Sequence, residues 1–270
     1  MKPTEVIRSR QNPRVQALAR LRERGERDAT GRFLIEGTRE LERAMKAGVK
    51  PDAVYFCPSL YKRPEGAKAV LTDAAKAGAE LVELGEEAFD KIGYREGADG
   101  LVGVAKTWTP TLDKLPAAKG APLYLVVEAV EKPGNLGALL RTADAAGCTA
   151  VLVCDPVTDL FNPNVIRSSQ GAAFSMPVAV ADSATTAKWL RERGVAVLAT
   201  TPAGKDMHWA PDYRNPSALL LGSEKDGLSD FWLKNADRLI GIPQLGQADS
   251  LNVGMAAAIC LFEAVRQRMA

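Results

Sequence analysis

The sequence predicts an α/β fold in two domains, the second of which is built on a parallel sheet. Strand-length apolar runs alternate with segments of helical periodicity, a pattern that is typical of α/β proteins. The runs LYLVV, AVLVC and VAVLA are continuously apolar, as strands buried on both faces of a parallel sheet are. A length of 270 residues is enough for about two domains.

The first domain, residues 1–106, is predicted to begin with a helix. Val15, Leu18 and Leu21 form an apolar stripe along residues 13–28, and Pro13 lies near the first turn. The elements predicted after this helix are a strand at 33–35, a helix from Thr38 to Ala47, a strand at 53–57, a helix at 65–77, and strands at 79–84 and 101–105.

A proline-rich segment separates the two domains. Residues 107–122 contain Pro110, Pro116 and Pro122 and show little periodicity, so we expect a linker there. The second domain, residues 123–270, is predicted to contain strands at 123–127, 150–154, 195–200 and 218–221, and helices at 135–146, 163–170, 184–193 and 251–269.

The composition excludes several classes of protein. With 46% apolar and 25% charged residues, the chain is neither fibrous nor wholly disordered. No apolar run has the length of a membrane span, and the N-terminus has no apolar secretory segment. The four cysteines form no C-x-x-C pair and His208 is the only histidine, so we expect no metal site and no disulfides. A reducing cytoplasm is the expected location.

The N-terminal segment is basic. Residues 1–32 carry a net charge of +5, the rest of the chain sums to −3, and eight of the nine cations in the segment are arginine. Arginine donates two parallel hydrogen bonds to phosphate, which favours nucleic-acid contact. A solvated helix face with pairs such as Glu23–Arg27 is the alternative. The candidate nucleic-acid-binding residues are Arg8, Arg10, Arg14, Arg24 and Arg27.

The first polar turn after a predicted buried strand is KPGNLGALLR, residues 132–141. Pro133 and Gly134 make the turn, Asn135 stands where a helix N-cap is expected, and Arg141 follows six residues later. Ligands of open α/β sheets bind at the carboxyl ends of strands, so this turn is well placed for a site. A capped helix with a surface arginine is the alternative.

Two further turns carry polar residues. In GSEKDG, residues 222–227, two glycines flank Glu224 and allow a ligand to approach the backbone, although neither a phosphate loop nor a dinucleotide fingerprint is present. In IPQLGQADSLNV, residues 242–253, Ser250 and Asn252 precede an apolar helix, and capping alone would explain both. A serine nucleophile is disfavoured because His208 lies outside any triad signature.

These motifs together resemble a known family. P-G-N-x-G-x-x-x-R, then G-x-E-x-x-G, then I-P…S-L-N-V, in this order and spacing, resemble the SpoU/TrmH family of RNA ribose methyltransferases. The segment from Asn162-Pro163 to Arg167-Ser168-Ser169-Gln170-Gly171-Ala172 is similar to that family too. Ser9 with Asn12-Pro13, and FLIEG at 33–37 with Glu40-Leu41, are similar to the substrate-binding domain of its ribosomal-RNA members, which has a ribosomal-protein-like α/β fold.

The resemblance implies a deep trefoil knot over about residues 196–260, a homodimer formed through the C-terminal domain, and S-adenosylmethionine as cofactor. The C-terminal helix, with Met255, Ile259, Leu261 and Phe262, is a candidate interface, although such a stripe is more often core. The residues expected to hold the cofactor are Thr200, Pro202, Leu221, Gly222, Ile242 and Leu251.

The implied reaction is methyl transfer from a sulfonium to a ribose 2′-hydroxyl, and the separate N-terminal domain favours 23S-type rRNA as substrate. Arg141 is the expected catalytic residue, and its permanent charge favours electrostatic stabilisation, with a desolvated arginine base as the alternative. Asn135, Glu224, Ser250 and Asn252 are expected to orient Arg141 or the ribose and to order the site, with no metal.

Two departures leave the substrate nucleotide open. Lys132 stands where many members have Asp, and Gln244 stands where Met is common. The alternatives are a tRNA 2′-O-methyltransferase, a non-catalytic RNA-binding protein on the same scaffold, and a nucleotide-dependent oxidoreductase. The joint presence of the expected catalytic residues disfavours the second, and the missing glycine-rich fingerprint disfavours the third.

Overall fold

The computed structural model describes residues 3–94, 99–247 and 249–270, and they form two compact units. The first unit contains the described residues up to Thr109 together with Asp159–Ser175, and the second contains Pro110–Thr158 and the described residues from Met176 to Ala270. Within the described residues, no helix is long and apolar enough to cross a membrane.

Strands and helices alternate along most of the chain. In chain order the strands are β1 (Glu5–Ile7), β2 (Arg32–Glu36), β3 (Pro51–Phe56), β4 (Glu80–Leu84), β5 (Leu101–Lys106), β6 (Leu123–Glu128), β7 (Ala150–Cys154), β8 (Val178–Ala181), β9 (Ala196–Thr200), β10 (Asp206–Met207), β11 (Ser217–Leu221) and β12 (Arg238–Gly241). The α-helices are α1 (Pro13–Arg20), α2 (Arg24–Thr30), α3 (Thr38–Lys46), α4 (Pro64–Lys76), α5 (Glu86–Ile92), α6 (Pro133–Ala145), α7 (Pro163–Ser168), α8 (Ala172–Ser175), α9 (Ser183–Glu192), α10 (Asp230–Asn235) and α11 (Val253–Met269).

The first unit contains a mixed sheet in the order β1-β4-β3-β5-β2. β1, β4 and β3 are parallel, whereas β5 is antiparallel to both of its neighbours. The apolar stripe of α1 packs into the core of this unit, where Val15 and Leu18 join Phe89 and the sheet residues Val82 and Val102. The predicted strands at 33–35, 53–57, 79–84 and 101–105 are confirmed to within one or two residues.

The prediction of one helix over residues 13–28 is wrong, because two helices meet at a break after Arg20. The break is stabilised by Arg27, which is 2% exposed and donates from Nη1 to the carbonyl oxygens of Leu21 (2.8 Å) and Arg22 (2.7 Å). These bonds satisfy carbonyls that a continuous helix would have bonded internally.

The segment Asp159–Ser175 lies between two strands of the second unit in sequence but packs in the first. Arg27 Nη2 donates to Asp159 Oδ2 at 2.6 Å. The Phe161 ring lies 4.9 Å from that of Phe33 and 4.6 Å from that of Trp108, centroid to centroid. A buried ion pair and an aromatic cluster therefore attach a segment that a single linker boundary would assign to the second domain.

The second unit contains a seven-stranded sheet in the order β10-β12-β9-β11-β6-β7-β8, and every strand pairing in it is parallel. This confirms the predicted parallel sheet. Its core includes the fully buried Val126, Leu220 and Trp232. Strands β8, β10 and β12, of four residues or fewer, and helix α10, of six residues, are absent from the sequence-based prediction because they are too short to show the period of their element type.

All four cysteines are buried and unpaired, as small apolar core residues are. Burial raises the pKa of the Cys148, Cys154 and Cys260 thiols to about 12.

Candidate active site

The carboxyl ends of neighbouring parallel strands meet at one edge of the second unit's sheet. β12, β9, β11 and β6 are consecutive and parallel, so the loops that follow them share this edge. The three polar turns of the sequence are the loops after β6, β11 and β12. Parallel pairing therefore brings together segments that lie about a hundred residues apart in the chain.

The sequence predicted Asn135 at the N-cap of α6, but Asn135 lies in the first turn of the helix. The helix begins two residues earlier at Pro133, whose fixed φ suits the first helical position, and Lys132 precedes it without a side-chain capping bond. Because the Asn135 side chain does not cap the helix, its amide is available to the neighbouring loops. Its Nδ2 donates to Glu224 Oε1, and its Oδ1 accepts from Asn252 Nδ2 at 3.4 Å.

Of the two residues expected to cap the last helix, Asn252 does so. Its Oδ1 accepts from the backbone N–H of Gly254 at 2.9 Å, while its Nδ2 remains free for Asn135. Ser250 is exposed and stands two residues before the cap. One residue from each of the three motifs thus joins a single hydrogen-bonded set of Glu224, Asn135 and Asn252.

Glu224 lies at the tip of a closed turn. The backbones of Ser223 and Gly227 exchange hydrogen bonds of 2.9 and 3.1 Å, which fold the loop after β11 back on itself. Glu224 Oε2 is buried and has no hydrogen-bond partner among the residues that the structure describes. A buried carboxylate oxygen in this state is an acceptor for a donor that another molecule would supply.

Arg141 is exposed on α6 and stands apart from this set. Six residues of α-helix separate it from Asn135, which corresponds to about 9 Å along the axis and about 120° around it. The two side chains therefore leave the helix from different turns and different faces.

The six residues expected to hold the cofactor lie at this edge. Thr200 ends β9, Leu221 ends β11, and Ile242 follows β12 directly. Pro202, Gly222 and Leu251 lie in the loops after β9, β11 and β12 respectively. A Cβ on Gly222 would lie 2.2 Å from Gly227 backbone atoms, so only glycine allows this turn to close.

A buried network below the Glu224 loop was not predicted. Glu128, the last residue of β6, is 6% exposed, and its Oε2 accepts from the backbone N–H of Ser229 at 2.8 Å. Ser183 Oγ accepts from Trp232 Nε1 at 2.8 Å and donates to Asp155 Oδ2 at 2.5 Å. The Glu128 bond anchors the end of the loop that carries Glu224. An acidic residue closing an otherwise apolar strand run is the signal that could have revealed it.

The family comparison decides the class of protein. Residues 122–262 match the SpoU rRNA Methylase family, and residues 12–103 match the MRM3-like substrate binding domain. The chain belongs to the SpoU rRNA methylase family. The resemblance inferred from the motifs is thereby confirmed.

Other SpoU proteins align with most of this chain. It is 34% identical over 221 residues to the 23S rRNA (guanosine-2'-O-)-methyltransferase RlmB of Ralstonia nicotianae, which covers 80% of this chain and 88% of that protein. It is 32% identical over 262 residues to the 23S rRNA (uridine(2479)-2'-O)-methyltransferase of Streptomyces viridochromogenes, which covers 93% and 88%. The crystal structure of an AdoMet-bound rRNA methyltransferase from Sinorhizobium meliloti matches with a TM-score of 0.89 and 31% identity over 98% of both chains.

The five arginines predicted to bind RNA are in different environments in this SpoU chain. Arg8 and Arg10 are exposed and form no salt bridge with a carboxylate of the described residues. Arg14 pairs with Glu80 and Glu5, and Arg24 lies 3.6 Å from Asp28. Arg27 is buried and forms an ion pair with Asp159, so it is a structural residue and the prediction that it binds RNA is not supported.

Proposed function

We propose that this protein transfers a methyl group from S-adenosylmethionine to a ribose 2′-hydroxyl of 23S-type rRNA. The observation that carries the proposal is the Glu224–Asn135–Asn252 set at the carboxyl edge of a parallel sheet, in a SpoU chain. The relatives named above are 23S rRNA 2′-O-methyltransferases, and the match over residues 12–103 to a substrate-binding domain favours rRNA over tRNA.

The edge of the sheet fits the cofactor. S-adenosylmethionine supplies a methyl group that is already activated on a sulfonium. Backbone groups of Thr200–Pro202, Leu221–Gly222, Ile242 and Leu251 would hold its adenine and ribose. A Cβ on Gly204 would lie 2.2 Å from the backbone carbon of Ile240, so glycine lets the loop after β9 approach β12 closely. The residues of this edge therefore form a backbone cradle, and the unpartnered Glu224 Oε2 gives it an acceptor.

Arg141 acts on the substrate as a permanent cation. It is exposed in the single chain, and a guanidinium is effectively always protonated in proteins, which favours electrostatic stabilisation over a base. Its guanidinium holds the phosphate next to the reacting ribose and stabilises the alkoxide charge that develops on the 2′-oxygen, and the proton leaves to phosphate or water. Asn135, Asn252 and Glu224 keep the loops in register and orient the ribose, while exposed Ser250 borders the same loop.

A homodimer formed through the C-terminal unit completes the site. α11 packs on α6, the helix that carries Arg141, and exposes Met255 (63%), Ile259 (38%) and Phe262 (48%) on one side, whereas Leu261 is core. Burial of this apolar face against a second copy would place the Arg141 of one subunit at the carboxyl edge of the other subunit's sheet. The separation of Arg141 from Asn135 by about 9 Å, or about 1.7 helical turns, favours this arrangement over action within one chain.

The deep trefoil knot over about residues 196–260 belongs to the same proposal. The chain passes from β9 to β10, back across β9 to β11, and across β9 again to β12. A cytoplasmic location is proposed as well, because four free thiols suit a reducing compartment. The methylated base stays open, since the two relatives act on guanosine and on uridine.

The test is methyl transfer from labelled S-adenosylmethionine to separated rRNA and tRNA of cells that lack the protein. We expect alkali-resistant label in 23S-type rRNA. Label in tRNA would replace rRNA by the tRNA alternative, and no label together with intact cofactor binding would favour a binding protein.

Arg141→Ala tests the assigned role. It should lower turnover by about 100- to 1000-fold, because one electrostatic stabiliser of the transition state is lost. Cofactor affinity, measured by calorimetry, should stay within twofold. Arg191→Ala, at another exposed arginine of this unit, is the matched control. Equal turnover in both variants would contradict the role of Arg141.

A further inference from the structure

A polar cavity lies in the first unit, and none of the three polar turns of the candidate active site lines it. Its volume is about 310 Å³. Three arginines line it: Arg39 in α3, Arg63 directly before α4, and Arg167 in α7. The buried acids Glu40 and Asp99 line it too. Ser168 and Gln170 complete the lining. We call it the arginine pocket.

The three guanidinium groups keep donors for a ligand. Arg39 Nη1 donates to Gln170 Oε1 at 3.2 Å, and Arg167 Nη2 donates to Asn164 Oδ1 at 2.8 Å, both of which are neutral acceptors. None of the three forms a salt bridge with a carboxylate of the described residues, in contrast to Arg27 and Arg14. A guanidinium carries five N–H donors, so most donors in the pocket are unused.

The pocket also contains one unpartnered acceptor. Asp99 is 7% exposed, and its Oδ2 accepts from the backbone N–H of Thr38 at 2.9 Å. Its Oδ1 is buried and has no partner among the described residues. A buried polar atom in that state is costly unless something donates to it. The phosphodiester group of an RNA chain has no donor, whereas the rest of a nucleotide has ribose hydroxyl, amino or imino groups.

Local geometry brings the arginines together. Gly171 has φ of +92°, and a Cβ there would lie 2.5 Å from Arg43 Cδ, so glycine allows α3 to approach the segment after α7. Arg43 Nη1 donates to the Gln170 carbonyl oxygen at 2.5 Å. The Arg167 guanidinium lies 6.0 Å from the centroid of the Tyr94 ring, a cation–π contact that holds it. Among the described residues, three arginines and two acids thus line the pocket.

We propose that the arginine pocket takes one nucleotide of the substrate RNA, with its phosphate on Arg39, Arg63 and Arg167 and a hydroxyl or base N–H donated to Asp99 Oδ1. This rests on the proposed function, since it assumes an RNA substrate. The residues that would bind the RNA here lie outside residues 1–32 and outside the three polar turns of the candidate active site.

The test is equilibrium binding of a fluorescein-labelled RNA of mixed sequence, about 20 nucleotides long, by anisotropy across a salt series without cofactor. Arg63→Gln should weaken binding about tenfold or more and reduce the salt slope by about 0.7, the value for one lost phosphate contact on a single strand. Arg32→Gln, at an exposed arginine of the same unit, should change neither. Unchanged affinity and slope in Arg63→Gln would overturn the proposal.

Asp99→Asn separates a nucleotide from a phosphate. Asn keeps one oxygen for the Thr38 N–H and replaces the other with an NH₂ donor, while a negative charge beside the arginines is removed. A site for phosphate alone would bind RNA more tightly after this change. We expect RNA binding to weaken several-fold, with an unchanged unfolding midpoint, because the ligand's donor then meets another donor. Tighter or unchanged binding would overturn the role of Asp99.

Competition by UMP distinguishes a nucleotide within an RNA chain from a free nucleotide. Displacement of the RNA only at millimolar UMP supports a nucleotide held within a chain, whereas displacement at concentrations close to the RNA Kd would overturn it in favour of a free nucleotide. Methyl transfer is not measured in these assays. Their failure therefore leaves the methyltransferase proposal intact, and loss of transfer activity would not affect them.

Discussion

The basic N-terminal segment and the arginine pocket, both in the first unit, use the same side chain in opposite ways. In the segment, Arg27 is buried on Asp159 and Arg14 is paired with Glu80. In the pocket, Arg39, Arg63 and Arg167 contact only neutral acceptors or none among the described residues. The positive charge of a sequence segment is therefore a poor guide to which of its arginines are available to a ligand.

The reason is electrostatic. A paired guanidinium has already exchanged water for a carboxylate, and a phosphate would have to compete with that partner. An unpaired guanidinium in a polar cavity has no such competitor. The segment with the highest positive charge in the sequence therefore offers fewer unpaired guanidinium groups than its composition suggests.

The largest expected effect concerns the buried pair. Asp159→Ala leaves the Arg27 guanidinium, which is 2% exposed, without a carboxylate, and this should lower the free energy of unfolding by about 3–5 kcal/mol. Urea denaturation measures the loss. Asp52→Ala is the control, because its pair with Arg32 is exposed and worth about 1 kcal/mol or less. Equal losses in the two variants would remove the distinction between structural and available arginines.

A smaller effect concerns the two arginines of the segment that remain available. Replacement of both Arg8 and Arg10 by Gln should reduce the slope of log K against log salt for RNA binding by about 1.4, since two phosphate contacts are lost. Arg20→Gln serves as control because Arg20 lies 3.4 Å from Glu26. A control that lowers the slope as much as the double variant would show that pairing does not decide availability.

The smallest effect is a pH dependence of the Arg14–Glu80 pair. Arg14 lowers the pKa of Glu80 below its ordinary value of 4.5. Folded Glu80 thus binds fewer protons than unfolded Glu80, so the pair stabilises the protein above pH 4.5 and loses this contribution as the pH falls through the folded pKa. Both side chains are about one-third exposed, which limits the effect to about 1 kcal/mol or less.

The measurement is the difference in unfolding free energy between the wild type and Glu80→Gln at neutral pH and near pH 3. The difference should shrink at the lower pH. A constant difference would mean that the carboxylate charge of Glu80 does not contribute.

Much of the candidate site at the carboxyl edge of the second unit's sheet was predictable from the sequence. The three motifs follow apolar runs, and parallel strands bring such turns to one edge, so Asn135, Glu224 and Asn252 could be nominated together. Their hydrogen bonds could not, because the start of α6 at Pro133 decides that Asn135 faces Glu224 instead of capping the helix. The Glu128 network was missed, since its partners come from three separate elements.

The arginine pocket lay beyond sequence reasoning. Arg39 and Arg63 stand in different helical segments, and Arg167 lies in a segment that sequence order assigns to the other domain. The aromatic cluster of Phe33, Trp108 and Phe161 places that segment in the first unit, together with the Arg27–Asp159 pair and the bonds from α3 to Gln170.

The sequence by itself determined the family, the succession of most strands and helices and the polar residues of the three turns, because periodicity and motif spacing are local properties of the chain. The tertiary structure decided which arginines are buried, paired or available, and which polar side chains touch. Those outcomes depend on strand order and on packing between residues far apart in the chain, where burial sets whether a charge needs a partner from the protein or can accept one from a ligand.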